Sequence, residues 1–172
     1  MNITLKNIKH MASLSEETHC FSADVWCDGK KMFGMKNAGH GGSDEVYSIN
    51  GGVKDIWAAY HEIDAELGKT IKKYPEHGFE IAHSLESEVC DIINQWLDDK
   101  EIKKVMRTVS YLVDGKLYSV KLKPTYENIV KIKKQKWWKD TNLVLNGLPI
   151  EDLRPIFDDV YFQKKPVGGA RA

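Results

Sequence analysis

Asn37-Ala38-Gly39-His40-Gly41-Gly42-Ser43 is the densest run of chemically capable residues in this 172-residue chain. Its three glycines let the backbone reach positive φ and turn several N–H groups toward one point. Such a nest binds anions, phosphates included. His40 at its centre adds a donor, a proton shuttle, or a positive charge below about pH 6.5. On this reading Asn37, Gly39, His40, Gly41, Gly42 and Ser43 bind a small ligand or nucleotide, or serve a hydrolase. The plainer reading is a wide connection between two strands with His40 solvated at its tip. The run is neither GxGxxG nor GxxxxGK[ST], and no helix directly follows it, so neither nucleotide fingerprint applies.

A second candidate is Lys131-Ile132-Lys133-Lys134-Gln135-Lys136-Trp137-Trp138-Lys139. Lysines neutralise phosphates and tryptophans stack on bases, which suits contact with single-stranded nucleic acid. Lys131, Lys133, Lys134, Lys136, Trp137, Trp138 and Lys139 therefore make a candidate nucleic-acid or partner surface. The competing reading is a solvated helix face whose lysine stems cover apolar surface, with one or both tryptophans packed inward. Arginine, the usual reader of base edges, is absent from this stretch. The sequence pI near 7.0 also lacks the basic excess expected of a nucleic-acid binder.

Metal and hydrolytic chemistry find less. His10, His19, His40, His61, His77 and His83 show no ligand spacing, and there is no GxSxG elbow. Cys20, Cys27 and Cys90 are odd in number and without CxxC spacing. Cys27 and Cys90 fall on apolar faces of a predicted strand and helix, where free cysteine acts as a small hydrophobe. The expectation is no metal, no cofactor and no catalytic set.

The elements that must position these residues are legible in the periodicity. Period-2 alternation predicts strands over 2–10, 19–27 and 30–36, the last two joined by Asp28-Gly29, a type I′ pair. A third strand follows the glycine loop at 45–49. The period then becomes 3.6, with Val53, Ile56, Trp57, Tyr60, Ile63, Leu67 and Ile71 in one stripe that Pro75 stops. Ser84 caps a second helix, 100–107 makes a short third, and 108–113 and 116–123 form a hairpin about Asp114-Gly115. A helix over 124–136, a short strand at 142–146 and a helix near 150–157 complete the chain. The fold class is therefore α+β: an N-terminal antiparallel hairpin sheet, central amphipathic helices, a second β-hairpin and C-terminal helices. It reads as a single domain over 1–162 with a disordered tail over 163–172.

Charge is unevenly spread. Residues 44–101 hold fourteen Asp/Glu against five Lys, and residues 116–139 hold eight Lys against Glu127 alone. Segregation of this kind steers charged partners. No run approaches the roughly 18 apolar residues of a membrane span, and the N-terminus lacks the features of a secretory signal. The expected location is the cytoplasm, with no membrane partner.

The first fifty residues resemble a group of small uncharacterised proteins of bacteriophages and prophages. The resemblance lies in Thr4-Leu5-Lys6-Asn7-Ile8-Lys9-His10, Ser15-Glu16-Glu17-Thr18, Cys20-Phe21-Ser22-Ala23, Val25-Trp26-Cys27-Asp28-Gly29-Lys30-Lys31 and the glycine loop. A weaker echo lies at Leu145-Asn146-Gly147-Leu148-Pro149-Ile150. It implies a viral context and supplies no catalytic residue. The expected function is a non-enzymatic binding protein in a bacterial host cell. Its partner is a host or anti-phage defence protein or nucleoprotein complex, such as a CRISPR effector, which it inhibits or redirects.

Overall fold

The computed structural model describes residues 1–74 and 78–162. Pro75, His77 and the tail expected over 163–172 lie outside the described residues. The fold is mixed α+β. The chain divides into two compact units, one over Met1–Asn94 and a second beginning at Gln95.

The first unit is built on a four-stranded antiparallel sheet in the order β1 (Ile3–His10), β2 (Phe21–Cys27), β3 (Lys30–Asn37), β4 (Glu45–Tyr47). The β2–β3 turn is the expected Asp-Gly pair, with φ +47° at Asp28 and +80° at Gly29. Both positive values fit a type I′ turn, whose twist matches that of the strands it joins. Phe21, Ala23, Val25, Phe33 and Met35 are buried. In β1 the register shifts between Lys6 and Lys9, where Asn7 takes φ +54° and donates to Asp24 Oδ2 at 2.9 Å. Tyr47 of β4 lays its ring on Gly34 of β3, in the space a Cβ would fill.

Helix α1 (Ile56–Leu67) starts at Asp55, whose side chain accepts from Ala58 N at 3.0 Å. It ends at Gly68, so the stripe does not reach Val53 or Ile71. Ile71 instead opens a small hairpin, β5 (Ile71–Tyr74) with β6 (Phe79–Ala82), and is 65% exposed. Thr70 Oγ1 donates to Leu67 O at 2.8 Å, which terminates the helix one turn before the hydrophobic period does.

Helix α2 (Leu85–Val105) is a single 21-residue helix, where two had been expected. Ser84 and Ser87 cap it reciprocally: Ser87 N donates to Ser84 Oγ at 3.2 Å, and Ser84 N to Ser87 Oγ at 3.1 Å. In its first half Leu85, Val89 and Ile93 are fully buried, four residues apart on one face. The segment over 100–107 carries no breaker, so α2 continues through it into the second unit.

There, α2 bears Ile102 in a core with Leu145, Leu153 and Phe157. Arg154 of α4 (Ile150–Phe157) grips Asp99 through two bonds, of 2.8 and 2.9 Å. The sheet of this unit runs β8 (Lys116–Val120), β7 (Val109–Val113), β9 (Leu143–Val144), all antiparallel. Its β7–β8 turn repeats the type I′ geometry, with φ +48° at Asp114 and +70° at Gly115. Helix α3 (Tyr126–Lys133), capped by Thr125, buries Ile132 against Val109 and Tyr111 of the sheet.

Gly34→Ala must displace the Tyr47 ring, and overpacking of this kind costs about 1–3 kcal/mol. The denaturant midpoint of unfolding is expected to fall accordingly. An unchanged midpoint would mean that Tyr47 does not hold β4 to the sheet.

Candidate functional site

The glycine loop is tied into the first unit by one buried side chain. Asn37 Oδ1 accepts from Gly39 N and from Thr18 Oγ1, both at 2.8 Å. Its Nδ2 donates to Gly42 O at 2.8 Å and to Asp44 Oδ1 at 2.9 Å. Gly41 N donates to Thr18 Oγ1 at 3.3 Å. The amides of Gly39 and Gly41 are thus directed at side-chain oxygens nearby. A concave set of amides does exist, but in the facing segment: the N–H groups of Glu16, Glu17 and Thr18 converge on Gly39 O at 3.0, 3.0 and 3.4 Å. Gly39 takes φ +92°, and a Cβ there would strike the Leu14 carbonyl, so this position requires glycine.

Acidic groups surround the loop. His40 is exposed, with Nδ1 3.2 Å from Glu16 Oε2, and the Glu17 carboxylate lies over Gly41. Ser43 is exposed. Asp44 N donates to Glu86 Oε1 at 3.3 Å. Desolvation, with the charge of Glu86 adding to it, pushes the Asp44 carboxyl up to about 6, against the lowering effect of the Asn37 hydrogen bond. A phosphate would meet carboxylates here before it met free amides.

Beside the loop runs a second polar constellation that the sequence did not reveal. His10 Nε2 lies 3.3 Å from His19 Nδ1 and 3.4 Å from Ser15 Oγ. His19 Nε2 lies 2.8 Å from Asn94 Oδ1, and Asn94 Nδ2 lies 3.6 Å from Cys90 Sγ. Asn94 Oδ1 accepts, so His19 Nε2 donates to it, and in the neutral ring His19 Nδ1 then accepts from His10 Nε2. His10 Nε2 is then a donor and no base for Ser15. The Ser15 hydroxyl is in any case engaged, donating to Met11 O at 3.0 Å and accepting from Cys20 N at 2.9 Å.

Cys90 is exposed by area, not on the apolar face of α2 as expected. The helix buries Leu85, Val89 and Ile93, one step round from it. Its sulfur is nonetheless crowded, and desolvation with the charges of Asp91 and Asp44 raises the thiol above its ordinary value. A thiol held protonated is a poor nucleophile. Among the described residues, no three His, Cys, Asp or Glu side chains converge as a metal site requires. No helix among them is long and apolar enough to cross a membrane.

The basic stretch is organised differently. Lys131, Lys133, Lys134, Lys136 and Lys139 are all exposed. Among the described residues none of the five joins a salt bridge. Trp138 turns inward against Tyr111 and Ile132, whereas Trp137 is 45% exposed. Trp137 stacks on Tyr111 with centroids 5.4 Å apart and planes at 28°. Tyr118, also 45% exposed, stacks on the same ring at 6.0 Å and 14°. Tyr111 and Tyr118 were missed in the sequence. Their signal was present in the hairpin, because counting back from Asp114-Gly115 sets them opposite one another.

Asn142, just before β9, is buried, and neither Oδ1 nor Nδ2 has a hydrogen-bond partner. A buried amide left so costs about 1–3 kcal/mol. It has no counterpart in the spacing or composition of the sequence.

The chain matches no protein-family model, no curated protein and no solved structure.

Two outcomes test this geometry. Asn37→Ala breaks four hydrogen bonds at a buried position and is expected to cost about 2–4 kcal/mol, whereas exposed His40→Ala stays within about 0.5 kcal/mol. Chemical denaturation separates the two, and equal losses would refute the assignment of Asn37 as the tie. For Asp44 the folded chain keeps a proton that the unfolded chain has lost. Its contribution to stability therefore falls as pH rises from the ordinary 3.8 to about 6, and stays low above that. Asp44→Asn is expected to flatten that part of a melting-temperature-versus-pH curve and to raise the melting temperature at pH 7. An unchanged slope would contradict the assignment.

Proposed function

We propose that this chain acts by recognition, binding a nucleoprotein component of a bacterial host or of its anti-phage defence through the Lys131–Lys139 face. A CRISPR effector is one complex of that kind. Binding there inhibits or redirects the complex.

The observation that carries this reading is Trp137. It is a large ring left 45% exposed although it is stacked on Tyr111, with exposed lysines on both sides in sequence. A tryptophan already oriented by its neighbours gives up little freedom on binding, and such rings dominate the energetics of interfaces. Unpaired lysines add steering toward an anionic partner. Nucleoprotein complexes supply that anionic surface together with protein.

Two further points favour recognition over chemistry. The hydroxyl of Ser15, the amides of Gly39 and Gly41 and the carboxamide of Asn37 are all engaged within the first unit. The resemblance of the first fifty residues to phage and prophage proteins supports the host or defence side of the reading.

The test is co-purification of a nucleoprotein complex with the tagged chain from host cells, alongside phage plating on a host that carries such a defence. Wild type is expected to recover the complex and change plating. Lys133→Glu/Lys134→Glu is expected to weaken recovery by about tenfold or more near physiological salt. A charge-reversed variant that performs as well as wild type, or a wild type without either effect, would overturn the proposal.

A further inference from the structure

Buried Asn37, buried Asn142 and half-buried Asn146 differ in one respect. Asn37 uses its donor and acceptor fully in the first unit. Asn146 does the same in the second, accepting from Ser110 N at 2.7 Å and donating to Thr108 O at 2.8 Å. Asn142 is 8% exposed and uses neither side-chain atom. Buried polar groups are ordinarily paired, so one that is not calls for a reason.

Its position supplies one. Val144, two residues on, packs with Tyr111, Ile132 and Trp138, and its backbone pairs with Tyr111. Asn142 itself stands just outside β9, its N–H bonded to Lys139 O, between that strand and the turn that brings Trp137 and Trp138 onto Tyr111. Aromatic rings, exposed lysines and an unsatisfied carboxamide are thus collected in one part of the second unit.

We propose that this face grips an unpaired nucleotide of a single-stranded nucleic acid, and that the Asn142 carboxamide reads the hydrogen-bonding edge of its base. The inference rests on the recognition reading above and names the part of the nucleoprotein that is held. Exposed Trp137 and Tyr118 offer ring faces on which any base stacks. Lys133, Lys134, Lys136 and Lys139 meet the phosphates. A carboxamide presents one donor and one acceptor side by side, the pattern that a base edge complements. An acidic peptide would engage the lysines, but its Asp and Glu side chains offer no flat ring to stack on Trp137 and Tyr118. Duplex is disfavoured because its bases are already stacked on one another, and because this stretch has no arginine to reach into the major groove.

Asn142 is 8% exposed, so the chain about it gives way as the base enters, and the turn over residues 134–141 leads directly into it. That turn is held by Trp138 N to Gln135 O at 2.9 Å and Asn142 N to Lys139 O at 3.0 Å. Its opening moves both tryptophans, and their fluorescence reports it.

The experiment measures binding of the full chain to labelled homopolymeric DNA and RNA strands, and to a duplex, by fluorescence anisotropy. Wild type is expected to favour single strands over duplex and to prefer one homopolymer by about fivefold or more. Trp137→Ala weakens every homopolymer. Asn142→Ala levels the preference and leaves the poorer homopolymers as they were, an effect that mere loosening of the fold would not produce. Asn142→Leu, which removes the unpaired amide, is expected to melt no lower than wild type while also losing the preference. Absence of binding to any single strand, a preference that survives in Asn142→Ala, or equal displacement by polyglutamate would overturn the inference. If wild type still recovers a nucleoprotein complex while ignoring naked strands, this inference alone fails. If it recovers neither, the proposed function fails with it.

Discussion

Tyr111 lies in the central strand of the second unit, 6% exposed, with Tyr118 stacked on it, Trp137 stacked on it and Trp138 set edge-on against it. Three aromatic side chains from two separate segments thus converge on one ring, and the outer two keep nearly half their surface in water. That ring is itself buried, in one cluster with Val109 of the sheet and Ile132 of α3. Stacking on it orients the exposed tryptophan and lays the lysine-rich turn that follows α3 against the sheet. Burial, and secondarily the neighbouring Tyr118, raise the Tyr111 hydroxyl further above neutrality, so the ring stays uncharged there.

The first unit shows the opposite economy. Its most conspicuous loop is spent on holding itself: Asn37 binds both ends, Thr18 takes Gly41, and Gly39 O fills the three amides opposite. Gly39 meets the Leu14 carbonyl and Gly41 meets Glu17, so a side chain is excluded at these two positions. Asp44, desolvated beside Glu86, adds a cost that the fold bears. Saturated polar groups stabilise and orient, whereas unsaturated ones are available to a partner. On that criterion the glycine loop is closed to a partner, whereas the Lys131–Lys139 stretch keeps its lysines exposed and Asn142 keeps a bare carboxamide. Among the described residues of the first unit, the buried side-chain polar atom without a partner is Trp26 Nε1, away from that loop.

Much of this architecture is legible in the residues, and the reasons differ by element. Both Asp-Gly hairpins are local: the turn requires positive φ at two positions, and the adjoining strands alternate cleanly. The α1 stripe misleads at its end, because Ile71 continues the spacing from Leu67 while Gly68 and the Thr70 hydroxyl have already stopped the helix. The α2 helix runs longer than expected because nothing between Asp99 and Val105 breaks it. Glycine density drew attention to 37–43 for chemistry, although Gly39 and Gly41 answer to steric contact with Leu14 and Glu17, well back along the chain, which no local pattern displays. Tyr111 and Tyr118 can be read from hairpin register. The missing partners of the Asn142 carboxamide are a matter of its three-dimensional surroundings, and the sequence carries no sign of them.

The central claim is that the exposed aromatic and lysine face of the second unit is where a nucleoprotein partner is held. Hydrogen exchange of the full chain, with and without the nucleoprotein complex it recovers, tests this most directly. Slowed exchange concentrated over residues 131–142 and in β8, with the 37–44 loop unchanged, is the predicted result. Protection over the 37–44 loop with none over 131–142 would contradict it.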